Sequence, residues 1–590
     1  MSLKRLMTGA GVLALAMSAV AGNESLVHYA VPAMSDVKRL ADTPVTDGVK
    51  GGTVKIILAK DEYEPGSFVL EPSADLGRVE LKLSAFVNEK GEALPADAFD
   101  LKVVKIWYQN GNSWNNYFGD TGFTLCPELL LNDENLIRVD TSKTANYARI
   151  TAKDGSVSER WINPPRQLDL TFWDSRYGQG FACMKPGFED APTFQPVELK
   201  AGERKQFFLT VHSTKAMKAG VYRGAVEVIA GKDSKRTTAS VPSPAARIPV
   251  AVRILDFVLP APATYKDETR LMNISFYTHD SIDECAWLNG GDRELAERQY
   301  AAIMKNRVAH GQTISHYQWL GNPDCDKRRK AMREAGMRDV AVGLAPFKDS
   351  GFDVELEGVA RRSYAYVTNY FGHSDIFDVY GDETGLNQLR DNRKFLHAMR
   401  KAGFKFFLAN TSKLFRNNAA DYADGWVSYS DAPEDRQMGD EWNSLPNGTS
   451  IGWYAQQHVA SENPAFCRRQ YGLTPYLAGY TALSNYAHYN RPYNDDSTTY
   501  RPMCFTYVDA KGCIDTIQWE GFREGIDDMR YATKLVTLAR KAALSKDVIR
   551  RDAGIHALQC LITFDRSAGD LAAIRREMTS HILNLIALEK

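Results

Sequence analysis

Hydrophobic and polar positions follow two different rhythms along this chain. From about residue 50 to 258, short β-rich runs alternate with turn signals: "GTVKIILA", "VELKLSAFV", "LKVVKIWYQ", "RKQFFLTVHS", "YRGAVEVIAG" and "ARIPVAVRILDFVLP". Runs of this length and spacing predict an antiparallel β-sandwich rather than βαβ units. Pro260 and Pro262 end the region as a linker. After residue 265, strand-like and helix-like runs take turns. "RLMNISFYT" leads into a helical 292–308 and then "GQTISHY"; "VAVGLAP" leads into 358–371. "DIFDVYGDE" leads into the amphipathic "LNQLRDNRKFLHAMRKAG", and "KFFLANT", "GWVSYS", "SIGWYA", a helical 465–477 and "GYTALSNYA" follow. About eight such units predict a (β/α)8 TIM barrel. A doubly wound sheet is the alternative, but no glycine-rich phosphate loop follows any strand. From residue 521 onward the pattern is helical. The expected organisation is a leader over 1–22, a β-sandwich over 23–262, a barrel catalytic domain over 263–545 and a helical C-terminal segment over 546–590.

The leader is expected from "MSLKRLMTGAGVLALAMSAVAG". It has a basic start at Lys4 and Arg5, an apolar run too short to span a bilayer, and a small-x-small cleavage pattern ending at Ala21. This predicts a signal peptide and a periplasmic or secreted mature chain. With 72 basic and 73 acidic residues among 590, no electrostatic footprint for nucleic acid or an anionic membrane is present. The eight cysteines lack metal-type spacing. Cys504 and Cys513, flanking a hairpin-like stretch, are the first candidates for a disulfide, with buried free thiols as the alternative.

Asp-Glu occurs six times, at 61–62, 133–134, 267–268, 283–284, 382–383 and 440–441. Only Asp382-Glu383 is tied to the C-terminal end of a barrel strand, the fourth by this count, where a barrel places its chemistry. Two carboxylates in one cavity push one pKa up, so a protonated acid stands beside an ionised acceptor, as glycosidic bond cleavage requires. The competing role is a helix cap, because a helix starts near Leu386. Asn410, Trp426, Trp453, Tyr454, Tyr486, His488 and Tyr489 fall near the same predicted rim, where aromatic faces stack on sugar rings. "IQWEGFREGIDDMRYATKL" reads as a salt-bridge and capping cluster, with Glu520 a reserve second carboxylate. Asp431 is another distant candidate. No serine-hydrolase elbow or His-Glu-x-x-His zinc motif is present, and His310 and His316 lack an obvious third ligand.

"RKQFFLTVHSTKAMKAGVYRGAVEV" with "PVAVRILDFVLP", "DVYGDETG", and "GCIDTIQWEGFREGIDDMRYATKL" together resemble glycoside hydrolase family 123 and the related domain of unknown function 4091 group. The resemblance covers most of the mature chain. It implies a sandwich followed by a (β/α)8 catalytic domain, and retaining, metal-free β-N-acetylgalactosaminidase activity on a glycan with no cofactor. It further implies substrate assistance, with Asp382 orienting the acetamido group and Glu383 acting as acid and then base. One departure stands out: "GYTALSNYAHY" carries tyrosines where the family favours tryptophan.

Overall fold

The computed structural model describes residues 25–589 except 111–122, 163–186, 231–245, 278–280, 315–322, 343–352, 383–384, 410–417, 419–421, 423, 429–449, 455–461, 486, 489–503 and 566–569. Its N-terminal part holds two facing sheets. A six-stranded antiparallel sheet runs in the order Val49–Lys50, Leu26–Val31, Glu62–Pro72, Lys205–Ser213, Phe99–Asn110 and Phe123–Leu131. A five-stranded sheet runs Val197–Leu199, Gly77–Leu83, Gly220–Ala230, Ala246–Val258 and Val54–Lys60. Its last pair is parallel, a departure from the expected all-antiparallel arrangement. In Val54–Lys60, Val54, Ile56 and Leu58 are buried while Lys55 and Ile57 point outward, the period of two that lets one face enter a core. They meet Phe68, Leu70, Phe207 and Leu209 from the opposite sheet.

The C-terminal part is built on a parallel sheet ordered Asn273–Ile274, Ala482–Ser484, Ser450–Tyr454, Gly425–Ser428, Lys405–Ala409, Ile376–Asp382 and Ala341–Val342. The expected closed (β/α)8 barrel is overturned. Among the described residues these seven strands form an open, half-barrel sheet with two-residue strands at both edges.

The missing member is "GQTISHY", whose described residues form no strand. Ile314 makes a single parallel bridge to Arg338, and its N–H donates to Ile274 O at 3.1 Å. Thr313 N–H also donates to Ile274 O at 3.0 Å and Thr313 O accepts from Arg338 N–H at 2.8 Å, and side chains add further bonds. The Thr313 hydroxyl donates to Met272 O at 2.8 Å and accepts from Ile274 N–H at 2.9 Å, while the Gln312 amide donates to Ile314 O. Polar side chains that satisfy neighbouring backbone groups compete with strand pairing, which a reading of apolar runs does not register. The strand ending at Asp382 is accordingly third in chain order, not fourth.

Beneath the sheet lies an aromatic core of Phe276, Tyr471, Phe505, Trp519 and Phe522, with ring centroids 4.9–6.3 Å apart in the contacting pairs. Trp519 and Phe522 come from the 27-residue helix Ile517–Ala543, whose N-terminus is capped by the Thr516 hydroxyl. Gly521 and Gly525 let this helix approach Pro464–Tyr471, since a Cβ at Gly521 would run into the Pro464 carbonyl.

The same helix buries charge. Arg575, from the helix Leu571–Ala587, donates to Glu524 Oε2 and Asp528 Oδ1 at 2.6 Å and to Glu64 Oε2 at 2.7 Å. Arg468 grips Asp528 with two bonds of 2.7 and 2.8 Å. Arg530 binds Asp527 at 2.7 Å and also donates to the carbonyls of Pro260 and Asp61. Glu62 accepts from Tyr531 Oη at 2.9 Å and from Ala59 N–H. Five carboxylates (Glu62, Glu64, Glu524, Asp527, Asp528) thus face three guanidinium groups, and the surplus is relieved by protonation. Burial, with the Asp527 charge adding to it, pushes the Glu62 carboxyl up to about 8; burial raises Glu64 and Glu524 as well.

Removing the central cation should be severe. Arg575→Leu is expected to cost about 3–5 kcal/mol in denaturant unfolding, because it leaves buried carboxylates unpaired. A separate test uses pH. Folded Glu62 keeps its proton up to about pH 8, whereas the unfolded chain releases it near 4.5, so the parent loses this contribution as pH rises between those values. Glu62→Gln has no proton to lose. Its Tm relative to the parent should therefore climb from pH 5 to pH 8; a flat difference would contradict the assignment.

Candidate active site

All neighbouring strands of the C-terminal sheet run parallel, so Ile274, Val342, Asp382, Ala409, Ser428, Tyr454 and Ser484 end on one edge. Open α/β sheets bind ligands outside this carboxyl edge. The opposite edge is pinned by ion pairs. Asp424 accepts from Arg400 Nη1 at 2.5 Å and from Phe406 N–H at 3.0 Å, and Lys405 pairs with Asp375 at 3.0 Å. The starts of these strands are thus tied down.

Ile376–Asp382 and Ser450–Tyr454 both end on that edge, and the former is the longer, at seven residues. Ile376–Asp382 carries the one irregularity in register found within this sheet's described ladders. Val379 pairs with Phe407 and Asp382 with Ala409, so three steps on one strand match two on its neighbour. An extra residue of this kind is a β-bulge, and it falls at Tyr380-Gly381, where glycine eases the distortion. A bulge interrupts the strict alternation of a strand, and this one falls just before the strand's last residue, Asp382.

The backbone of Asp382 is placed as the last residue of its strand. Trp453 pairs with Ser428 and Leu483, and Tyr454 with Ser484, which puts both at the same edge. Trp426 pairs with Leu408 and Ile451, two residues short of its strand's end. One strand separates Asp382 from the Trp426 strand and two separate it from the Trp453-Tyr454 strand, spacings of ~10 and ~14 Å. Glu383, Asn410, Tyr486, Tyr489, Asp431 and His316 lie outside the described residues.

His488 is buried in the core rather than set at the rim. Its ring packs edge-on to Trp519 with centroids 5.2 Å apart, and Nε2 lies 3.3 Å from the Thr506 hydroxyl. Burial, helped by the nearby Arg307 and His310 charges, lowers its pKa well below the usual imidazole value. On the other face of Trp519, His310 stacks at 4.7 Å and reaches Glu520 Oε1 at 3.3 Å. Asp515 and Glu520 are the carboxylate neighbours of His310 that sequence spacing did not disclose. Burial raises the Glu520 carboxyl, but the Arg523 charge and His310 outweigh it and hold the carboxyl below its ordinary value. Arg523 pairs with Glu520, so this group forms an internal ion network around Trp519. The Cys504–Cys513 disulfide, the first of the two expectations, does not form; Cys513 lies opposite Val508 in the hairpin.

No protein-family model matches the sequence, and no curated protein matches it. Among solved structures, a family 123 glycoside hydrolase from Clostridium perfringens, studied for glycolipid glycan hydrolysis, aligns over 95% of this chain and 97% of its own. The TM-score is 0.60 at 12% identity. The chain has the fold of a family 123 glycoside hydrolase. A second match, AvmM, which catalyses macrocyclization in alchivemycin A biosynthesis, covers 40% of this chain at a TM-score of 0.17 and carries no weight for the fold. At 95% coverage the likeness takes in both the paired sheets and the half-barrel.

Glu520→Gln should lower stability by about 3 kcal/mol or more, because Arg523 loses its buried partner. Turnover of any substrate the parent cleaves should stay within a few-fold. Thermal unfolding and steady-state kinetics on the same preparation separate the two effects.

Proposed function

We propose that the protein is an exported glycoside hydrolase that removes a terminal N-acetylhexosamine, β-N-acetylgalactosamine foremost, from a glycan. The observation that carries this reading is the bulge at Tyr380-Gly381, which delivers Asp382 to the carboxyl edge of a sheet in a family 123 fold. Glu383 follows it directly in the chain.

In this account the acetamido oxygen of the substrate attacks its own anomeric carbon and gives an oxazolinium intermediate. Asp382 orients the acetamido group and stabilises the charge that develops on its nitrogen. Glu383 protonates the departing glycosidic oxygen, then takes a proton from the water that opens the intermediate. Retention follows from two inversions at one carbon. No enzyme nucleophile is needed on the far face of the ring, so adjacent carboxylates suffice where other retaining enzymes need a pair ~5 Å apart across the bond. Trp453 and Tyr454, at the same edge, supply faces for a sugar ring. Export rests on the Lys4-Arg5 start, the short apolar run and the Ala19-Val20-Ala21 pattern. The burial and pairing of Glu520 weigh against its use as a distant nucleophile.

A panel of aryl glycosides tests the proposal. The parent should cleave β-linked acetamido sugars and spare those lacking the acetamido group. Glu383→Gln should lose ~10²–10⁴-fold in kcat, the range of a general acid/base. Asp382→Asn should lose ~10²–10³-fold, the range of one charge-stabilising group. Cleavage of sugars without an acetamido group would defeat substrate assistance.

A further inference from the structure

Far from the sheet edge, the last two helices bring together donor groups that the reaction does not use. His556 and Cys560 sit one turn apart on Val548–Thr563, and Glu577 and His581 sit one turn apart on Leu571–Ala587. Spacing of i, i+4 puts each pair on a single helix face. The two faces meet. The imidazole rings of His556 and His581 lie 5.3 Å apart, and the donor atoms of His556, Cys560 and His581 all fall within 4.8 Å of one another. Cys560 Sγ lies 3.9 Å from Nδ1 and 3.8 Å from Nε2 of His556, within reach of either nitrogen. Glu577 faces the same thiol.

We propose that His556, Cys560 and His581, with Glu577 as a fourth donor, form a zinc-type divalent cation site that clamps the C-terminal helical hairpin. Tetrahedral zinc, with bonds of about 2.0–2.3 Å, separates its donors by ~3.3–3.8 Å. The observed spacings need only side-chain adjustment to reach that. One thiolate, two imidazoles and a carboxylate select a borderline cation over magnesium or calcium, which take oxygen ligands. His556 is exposed and Cys560 and His581 are half-buried, so an ion can enter from solvent. Zinc binds the thiolate, so binding proceeds as Cys560–SH plus Zn²⁺ giving Cys560–S⁻–Zn²⁺ plus one proton released to solvent. The rival cluster of His310, Asp515 and Glu520 lacks this character because Arg523 occupies its charge.

The test uses the full chain without a histidine tag. Zn²⁺ is titrated in competition with a chromogenic chelator, and Co²⁺ is added separately as a spectroscopic probe. The expected results are one Zn²⁺ per chain with Kd in the micromolar range or tighter, and a Tm increase that EDTA reverses. Co²⁺ should give a thiolate-to-metal absorption that Cys560→Ser abolishes. His581→Ala should weaken Zn²⁺ binding at least tenfold, and the exposed Glu577→Gln should weaken it less without disturbing the helical circular dichroism. Absence of the cobalt–thiolate band in the parent, millimolar affinity, or Zn²⁺ binding unchanged in a Cys560→Ser/His581→Ala variant would each overturn the site.

Discussion

The guanidinium of Arg575 is the constraint on which the rest of this structure depends. It reaches Glu64 on a sandwich strand and both Glu524 and Asp528 on the long helix. Buried carboxylates are tolerated only where cations and hydrogen bonds meet them with good geometry. The network therefore fixes how three elements sit relative to one another. Its reach extends further, because the opposite side of the long helix presents Trp519 and Phe522 to the aromatic core under the parallel sheet. The position of the sheet follows from the position of that helix, and the placement of the candidate site follows from the sheet.

Much of this was legible as pattern. The alternating runs up to residue 258 are strands, and the run "DIFDVYGDE" is a strand that ends at Asp382. The stretch from Glu520 to Asp528 reads as a salt-bridge cluster and is one, with Glu520 and Arg523 paired within the helix. Its burial was not legible. Helical spacing predicts neighbours one turn away, whereas the partners of Glu524 and Asp528 lie on Arg468 and Arg575, some 50 residues distant in either direction. The expected barrel closure differs for another reason: among the described residues, Thr313 and Ile314 bond through their backbones to Ile274 and Arg338 over only two residues, which makes a bridge and not a strand.

The bulge at Tyr380-Gly381 illustrates a third kind of invisibility. A glycine inside an apolar run hints at an irregularity, but the hint becomes a register shift only against the neighbouring strand Lys405–Ala409. The proposed joint use of Asp382 and Glu383 rests on that shift, since an uninterrupted strand alternates successive side chains between its two faces. At the other end of the sheet, ion pairs at Asp424 and Asp375 hold the strand starts.

The most direct measurement is a calorimetric titration of the parent and of Asp382→Asn with an N-acetylgalactosamine-derived thiazoline, a stable mimic of the oxazolinium intermediate. Substrate-assisted catalysis at the carboxyl edge predicts saturable 1:1 binding by the parent and a loss of at least tenfold in affinity in the variant. No binding by a parent that still cleaves glycosides, or equal binding by both proteins, would contradict it.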